Sequence, residues 1–160
     1  MRTQILTATI VAFNLALVAL AGEQKQGESP SGCTTANVAG VYGYVGFGTV
    51  RVNSLGLPPG AYSSVGTLSF DGKGNLVITD TARIDDVILP PTVYPSTYTV
   101  DQQCVGTFTI SGLAARGIPG PHYKVVFVDN RNGIRAISLL PGLTVNYVNT
   151  TRIENGKHEE

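Results

Sequence analysis

Apolar and polar residues alternate with a period of two along most of the chain beyond residue 38. Such runs, rich in Val, Ile, Thr, Tyr and Phe, are typical of β-strands with one buried face, and helical periodicity is absent. The pattern predicts eight strands, at 40–52, 63–70, 75–84, 96–101, 104–111, 122–129, 134–140 and 143–153. Turn sequences such as Asp71-Gly72-Lys73-Gly74 and Asn130-Arg131-Asn132-Gly133 separate them, because Gly and Asn supply the positive φ that tight hairpins need.

The apolar member of each alternation defines a predicted inward face. We expect this face to comprise Leu68, Phe70, Leu76, Ile78, Tyr98, Val100, Phe108, Ile110, Val126, Val128, Ile137, Leu139, Val145 and Tyr147. Eight antiparallel strands linked by hairpins close most economically into an up-and-down barrel, since closure removes both sheet edges. The predicted fold is therefore an all-β, eight-stranded antiparallel barrel, with a β-sandwich as the alternative.

The lengths of the connections distinguish the two ends of this barrel. Alternate connections of a meander lie at the same end, and the tight turns alternate with three long, Pro-rich loops at 54–62, 85–95 and 112–121. One end is therefore closed and the other is loop-rich. Apolar side chains such as Leu57 and Ile88 occupy the long loops, and small barrels hold ligands in their mouths.

The first residues have the order of a secretory signal peptide. Arg2 precedes an uncharged apolar run at 5–21, which ends in the cleavage sequence Ala19-Leu20-Ala21. A membrane anchor is the alternative, although about 20 apolar residues usually form a span. We expect a signal peptide at 1–21, a flexible segment at 22–37, the barrel at 38–153 and a disordered tail at 154–160. The mature protein would be secreted, extracellular or periplasmic, with no membrane span after cleavage.

Cys33 and Cys104 are the two cysteines of the chain. In an oxidising compartment, two cysteines most simply form one disulfide. Both would lie at the closed end, because Cys33 precedes the first strand and Cys104 opens the fifth. Free thiols or a metal site with other partners are the alternative.

Composition narrows the function classes. The 160 residues carry 11 basic and 11 acidic side chains, with a net charge of zero, which lacks the basic footprint of nucleic-acid binding. The length favours one domain. The sequence shows no phosphate-binding loop, dinucleotide fingerprint, zinc-ligand spacing or catalytic-triad order. We therefore assign no catalytic residue, metal or cofactor, and the oligomeric state stays open.

Several polar residues are candidates for the loop-rich end. Asp80 lies on the apolar alternation of its strand, and an inward carboxylate is costly unless it is paired. It either makes a polar contact at the mouth or pairs with an arginine. Arg116, in an apolar loop, could bind a ligand carboxylate. His122 could act as a general base beside Asp85 or Asp86, but a surface histidine is the simpler alternative.

Four stretches have a familiar pattern: Gly40-Val41-Tyr42-Gly43-Tyr44, Phe70-Asp71-Gly72-Lys73-Gly74-Asn75-Leu76, Thr97-Tyr98-Thr99-Val100 and Cys104-Val105-Gly106-Thr107-Phe108-Thr109. With them the chain resembles small secreted bacterial lipocalin-like (calycin-type) barrels over about residues 38–153. The resemblance implies carriage of a small apolar molecule. It also implies that Arg152 covers Tyr42, which stands where true lipocalins have Trp. Allene oxide cyclase barrels have a similar architecture.

The sequence thus predicts a secreted barrel that binds a small apolar or amphipathic molecule at its loop-rich end. The expected ligand-binding residues are Leu57, Asp80, Ile88, Tyr98, Arg116 and Tyr147. Two alternatives stay open. One is an envelope or extracellular interaction protein with a filled barrel, and the other is a cofactor-free barrel cyclase or isomerase.

Overall fold

The structure, a computed structural model, describes residues 32–51 and 56–153, without the side chains of residues 148 and 149. The predicted signal peptide at 1–21, residues 22–31 of the flexible segment and the tail at 154–160 lie outside the described residues. The strands are β1 (Gly40–Val50), β2 (Gly60–Phe70), β3 (Asn75–Ile84), β4 (Val87–Ile88), β5 (Thr92–Val100), β6 (Val105–Ile110), β7 (Tyr123–Val128), β8 (Gly133–Ser138) and β9 (Leu143–Ile153).

Eight of these strands form a closed antiparallel barrel. Each pairs with the next in the order β1, β2, β3, β5, β6, β7, β8, β9, and β9 returns to β1. β4 is a two-residue strand that pairs with the end of β3, where Ile88 lies opposite Arg83. Closure leaves no long exposed edge, which is the physical advantage of a barrel over a sandwich. The predicted fold class is confirmed.

The structure corrects the predicted loop at 85–95. Its second half is the start of β5, where Thr92 pairs with Asp80 and Pro95 pairs with Val77 across β3. Proline weakens a strand prediction because it cannot donate a backbone hydrogen bond. Here the carbonyl of Pro95 still accepts from Ser111 N–H, so the pairing continues past it.

The predicted inward face is wrong in β7 and β8. Val126, Ile137 and Leu139 are 38%, 51% and 46% exposed. The buried side chains of these strands are Tyr123, Val125, Phe127, Ile134 and Ala136. Both alternating sets of residues in β7 and β8 are largely apolar, so the one charged residue of each strand determines which set faces outward. Lys124 and Arg135 are exposed, and Val126 and Ile137 lie on the same outward face. A one-residue shift moves every side chain to the opposite face.

Aromatic rings fill the closed end. The Phe70 ring lies 4.9 Å from Tyr98, 5.3 Å from Tyr42, 5.4 Å from Phe108 and 5.6 Å from Phe127, measured between centroids. Most of these pairs are edge-to-face, the arrangement that aromatic quadrupoles favour. This half of the barrel is therefore solid.

The disulfide fastens the segment before β1 to the closed end. Cys33 and Cys104 are bonded, with their Cα atoms 4.8 Å apart, so the predicted pairing is confirmed. The hydroxyl of Tyr98 donates to the carbonyl of Thr35 at 2.9 Å, and Val38 is fully buried. Residues 33–38 thus cover the closed end of the barrel.

Arg152, near the end of β9, lies over Tyr42. Its guanidinium carbon is 5.8 Å from the centre of the Tyr42 ring, and its Nη2 donates to the carbonyl of Ala39. A cation above the face of an aromatic ring is attracted to the ring. Arg152 therefore has the covering position that the lipocalin-like resemblance implies, while the family itself stays a prediction.

Candidate functional site

The loop-rich half of the barrel holds a cavity of about 120 Å³. An apolar cavity of about 150 Å³ binds benzene in another protein, so the smaller volume here limits the enclosed part of a ligand to about one ring. Leu57, Leu113 and Leu140 reach it from three different connections at the loop-rich end. The full lining is Tyr44, Leu57, Tyr62, Ile78, Asp80, Tyr94, Ile110, Leu113, Arg116, Tyr123, Leu140, Leu143 and Tyr147.

Two inward glycines make room for the tyrosines around this cavity. A Cβ on Gly46 would lie 2.9 Å from both Ser64 Oγ and a ring carbon of Tyr147. A Cβ on Gly66 would collide with the carbonyl of Thr79 and lie 3.0 Å from the hydroxyl of Tyr44. Without that carbon, the Tyr44 side chain extends from β1 across β2 to β3.

Asp80, halfway along β3, points into the cavity between two tyrosines. The hydroxyl of Tyr44 donates to Oδ1 at 2.6 Å, and the hydroxyl of Tyr62 donates to Oδ2 at 3.1 Å. Among the described residues, the ion pair formed is Arg83–Asp86 on the surface. Of the two predicted arrangements, the structure therefore shows the polar contact and not the arginine pair.

Burial controls the ionisation of this group. Burial raises the pKa of Asp80, and the hydrogen bonds from Tyr44 and Tyr62 oppose it without cancelling it. Burial, followed by the nearby Asp80 carboxylate, also raises the pKa of Tyr44 and of Tyr62. Both tyrosines therefore keep their protons and act as donors. Ser64 Oγ is close enough to help lower the pKa of Asp80 but is buried without a well-formed hydrogen bond among the described residues.

A second tyrosine pair lies against the first. The hydroxyl of Tyr147 donates to that of Tyr123 at 3.2 Å, and the rings of Tyr44 and Tyr147 meet edge-to-face at 4.9 Å. Burial raises the pKa of Tyr123 to about 12 and raises that of Tyr147 well above its ordinary value. These rings are neutral and are held in position by one another.

The β6–β7 loop (residues 111–122) forms one side of the rim. It carries Leu113, which is buried, and Arg116, which is exposed and lies in the short 3₁₀ turn Ala114–Arg116. His122 fastens this loop to the barrel: its Nδ1 accepts from Ile110 N–H at 2.8 Å, and its Nε2 lies 3.0 Å from the carbonyl of Ile118.

The prediction of a surface histidine is wrong, because His122 is 1% exposed. The Ile110 contact makes Nδ1 the acceptor, so Nε2 carries the proton and donates to Ile118. Both ring nitrogens are engaged with the backbone. This arrangement leaves no nitrogen to act as a general base, and the role of His122 is structural.

Four of the six predicted ligand-binding residues line the cavity: Leu57, Asp80, Arg116 and Tyr147. The other two lie elsewhere. Tyr98 is buried at the closed end against Phe70. Ile88 is 73% exposed on the outside of the barrel, because β4 folds back along the end of β3.

Sequence reasoning missed four of the five cavity tyrosines as ligand-binding residues. Tyr44 alternates with Tyr42 on β1, so the same period-two pattern that identified other strands could have found it. Tyr62 and Tyr94 lie within stretches predicted as loops, and Tyr123 lies on the strand whose inward phase was predicted wrongly. The misses at Tyr62, Tyr94 and Tyr123 are therefore errors of strand boundary and phase.

Within residues 32–51 and 56–153, no cluster of three or more His, Cys, Asp or Glu side chains could hold a metal ion. No helix in the same ranges is long and apolar enough to cross a membrane. Comparison of the chain with protein-family models, with curated proteins and with solved structures finds no match. The geometry of the cavity is therefore the feature that indicates a function.

Proposed function

We propose that this barrel binds a small apolar or amphipathic molecule in the cavity at its loop-rich end. The observation that carries the proposal is the unequal filling of the interior. Packed aromatic rings fill the closed half, whereas the loop-rich half retains about 120 Å³ with an apolar rim and a polar floor. A concave, mostly apolar site with a few convergent polar groups is the usual form of a small-molecule site.

Different residues of the lining would contact the apolar and the polar parts of the ligand. Leu57, Leu113 and Leu143 would bury the apolar part of the ligand, at about 25 cal/mol per Å² of apolar surface removed from water. Asp80 and Tyr147 would contact its polar part at the floor. Arg116, at the exposed rim, would lie beside the outer end of the ligand. The interaction-protein alternative assumes a filled barrel, and the cavity favours the binding protein over it.

We also propose that the protein is secreted. The disulfide between Cys33 and Cys104 is compatible with an extracellular or periplasmic protein, because such bonds persist in oxidising compartments. The apolar run that ends at Ala21 would direct the chain there as a signal peptide.

A matched pair of substitutions tests the cavity. Leu57→Asp places a carboxylate at the apolar rim and is expected to weaken binding of toluene or benzyl alcohol at least about tenfold, because a buried charge must lose its hydration. Ile88→Asp introduces the same charge on the outer face and is expected to leave binding unchanged. Affinities come from ligand-observed NMR titrations of the folded, oxidised protein.

Equal effects of the two substitutions would place the ligand outside the cavity. If the unsubstituted protein binds neither of these molecules, nor a charged molecule of the same shape, the proposed function itself is contradicted.

A further inference from the structure

We propose that the ligand of this cavity is a small organic cation, a single-ring or short-chain amine whose ammonium group binds the Asp80 carboxylate among the tyrosine rings. This inference rests on the proposed function and specifies the chemical class of the ligand. Three properties of the site support it: its charge, its hydrogen-bonding capacity and its aromatic lining.

The carboxylate at the floor of the cavity is held by neutral donors, the hydroxyls of Tyr44 and Tyr62. Asp80 is inward and largely withdrawn from water, and no Lys or Arg of the described residues forms an ion pair with it. Removing a carboxylate from water is costly unless it is paired. Arg116 lines the rim but is exposed, so water screens its charge. A cationic ligand would supply the missing partner.

The hydrogen bonds at the floor leave acceptors available. The hydroxyls of Tyr44 and Tyr62 donate to the two oxygens of Asp80, and the hydroxyl of Tyr147 donates to that of Tyr123. A carboxylate has about four acceptor positions, so each oxygen of Asp80 keeps capacity for a further donor. A primary ammonium carries three donors and no acceptor, which makes it complementary to such a floor.

The tyrosine rings offer the second element of cation recognition. Tyr44, Tyr62, Tyr94, Tyr123 and Tyr147 all line the same cavity as Asp80. The face of an aromatic ring carries negative charge density, which stabilises a desolvated cation placed over it. The edge-to-face contact between Tyr44 and Tyr147 fixes these rings before a ligand arrives.

Burial raises the pKa of Asp80, which points to the competing ligand class. A protonated Asp80 would become a donor and would favour a neutral ligand with an acceptor, such as an alcohol or a carbonyl compound. An ammonium would instead favour the ionised carboxylate. A charged ligand and its neutral analogue of the same shape therefore distinguish the two classes.

The test compares benzylamine, which is a cation at neutral pH, with benzyl alcohol and toluene, by NMR titration of the oxidised protein. Benzylamine is expected to bind at least about tenfold more tightly than benzyl alcohol, because a charge-assisted contact is stronger than a neutral one. Asp80→Asn is expected to remove this advantage, so that the affinities of benzylamine and benzyl alcohol for the variant differ by less than about twofold. Asp86→Asn, which removes a carboxylate outside the cavity, serves as the matched control and should change neither affinity.

The outcomes separate the two proposals. Benzyl alcohol or toluene binding as tightly as benzylamine would overturn the cation inference and leave the proposed function intact. An amine advantage that survives Asp80→Asn while benzyl alcohol still binds would overturn it as well. If none of the three molecules binds, both proposals fail together.

Discussion

Asp80 shows how neutral hydroxyl donors can hold a carboxylate inside a barrel. Its two oxygens accept hydrogen bonds from Tyr44 and Tyr62, and both donors remain protonated because burial raises their pKa values. The tyrosines thus replace part of the hydration that the carboxylate loses, although burial still raises the pKa of Asp80. Because the hydrogen bonds do not fully replace the lost hydration, ionisation of Asp80 makes the stability of the fold depend on pH.

Asp80→Asn and Asp71→Asn are expected to change the pH dependence of stability in opposite directions. The pKa of Asp80 in the folded protein is raised above the ordinary 3.8. Its contribution to the stability of the fold is therefore complete below pH 3.8 and is lost as the pH rises through the folded pKa. The Asn75 side chain and the Lys73 amide lower the pKa of the exposed Asp71, so its contribution is lost as pH falls.

Urea unfolding at a series of pH values between about 3 and 7 measures both effects. Asp80→Asn should flatten the loss of stability on the alkaline side of this window, and Asp71→Asn should flatten the loss on the acid side. Shifts of the two profiles in the same direction would contradict this assignment.

At the scale of elements, the β6–β7 loop is the part of the rim that one side chain holds in place. His122 connects Ile110 on β6 with Ile118 in the loop through its two ring nitrogens. The same loop carries Leu113 and Arg116 into the cavity lining. The position of the rim therefore depends on a buried residue that does not contact the cavity.

His122→Ala is expected to lower the free energy of unfolding by about 2–4 kcal/mol, because it leaves a buried N–H and a carbonyl without partners and opens a void. Urea unfolding measures the change, and faster hydrogen exchange at the Ile110 amide would locate it. Lys124→Ala, at an exposed site on β7, should stay within about 0.5 kcal/mol of the unsubstituted protein. Equal stability of the two variants would show that the histidine does not hold the loop.

At the scale of the whole molecule, the topology follows from features that the sequence displays directly. Strand number, the alternation of short and long connections and the placement of the two cysteines all predict the closed barrel and its disulfide. The interior is harder to predict, because it depends on contacts between strands far apart in sequence. The contact of Tyr44 with Asp80 requires Gly66 on the intervening strand, and no local pattern indicates that these three residues meet.

The disulfide and the proposed signal peptide give one prediction for the whole chain. The protein recovered outside the cytoplasm should begin at Gly22 and weigh two hydrogens less than the reduced chain. A loop of 71 residues closed in this way stabilises a fold by about 4 kcal/mol in the chain-entropy model. Intact mass spectrometry before and after reduction measures both features. A recovered chain that retains residues 1–21 would contradict the signal-peptide assignment.

The even number of strands in the barrel has a consequence for attachment. β1 begins and β9 ends at the closed end, where Val41 pairs with Ile153, and the disulfide fastens Cys33 to the same end. A tether, label or fused partner joined beyond either of these points would leave the molecule on the side opposite the cavity. Attachment close to Cys33 or to Ile153 would therefore leave the mouth of the cavity facing the solution.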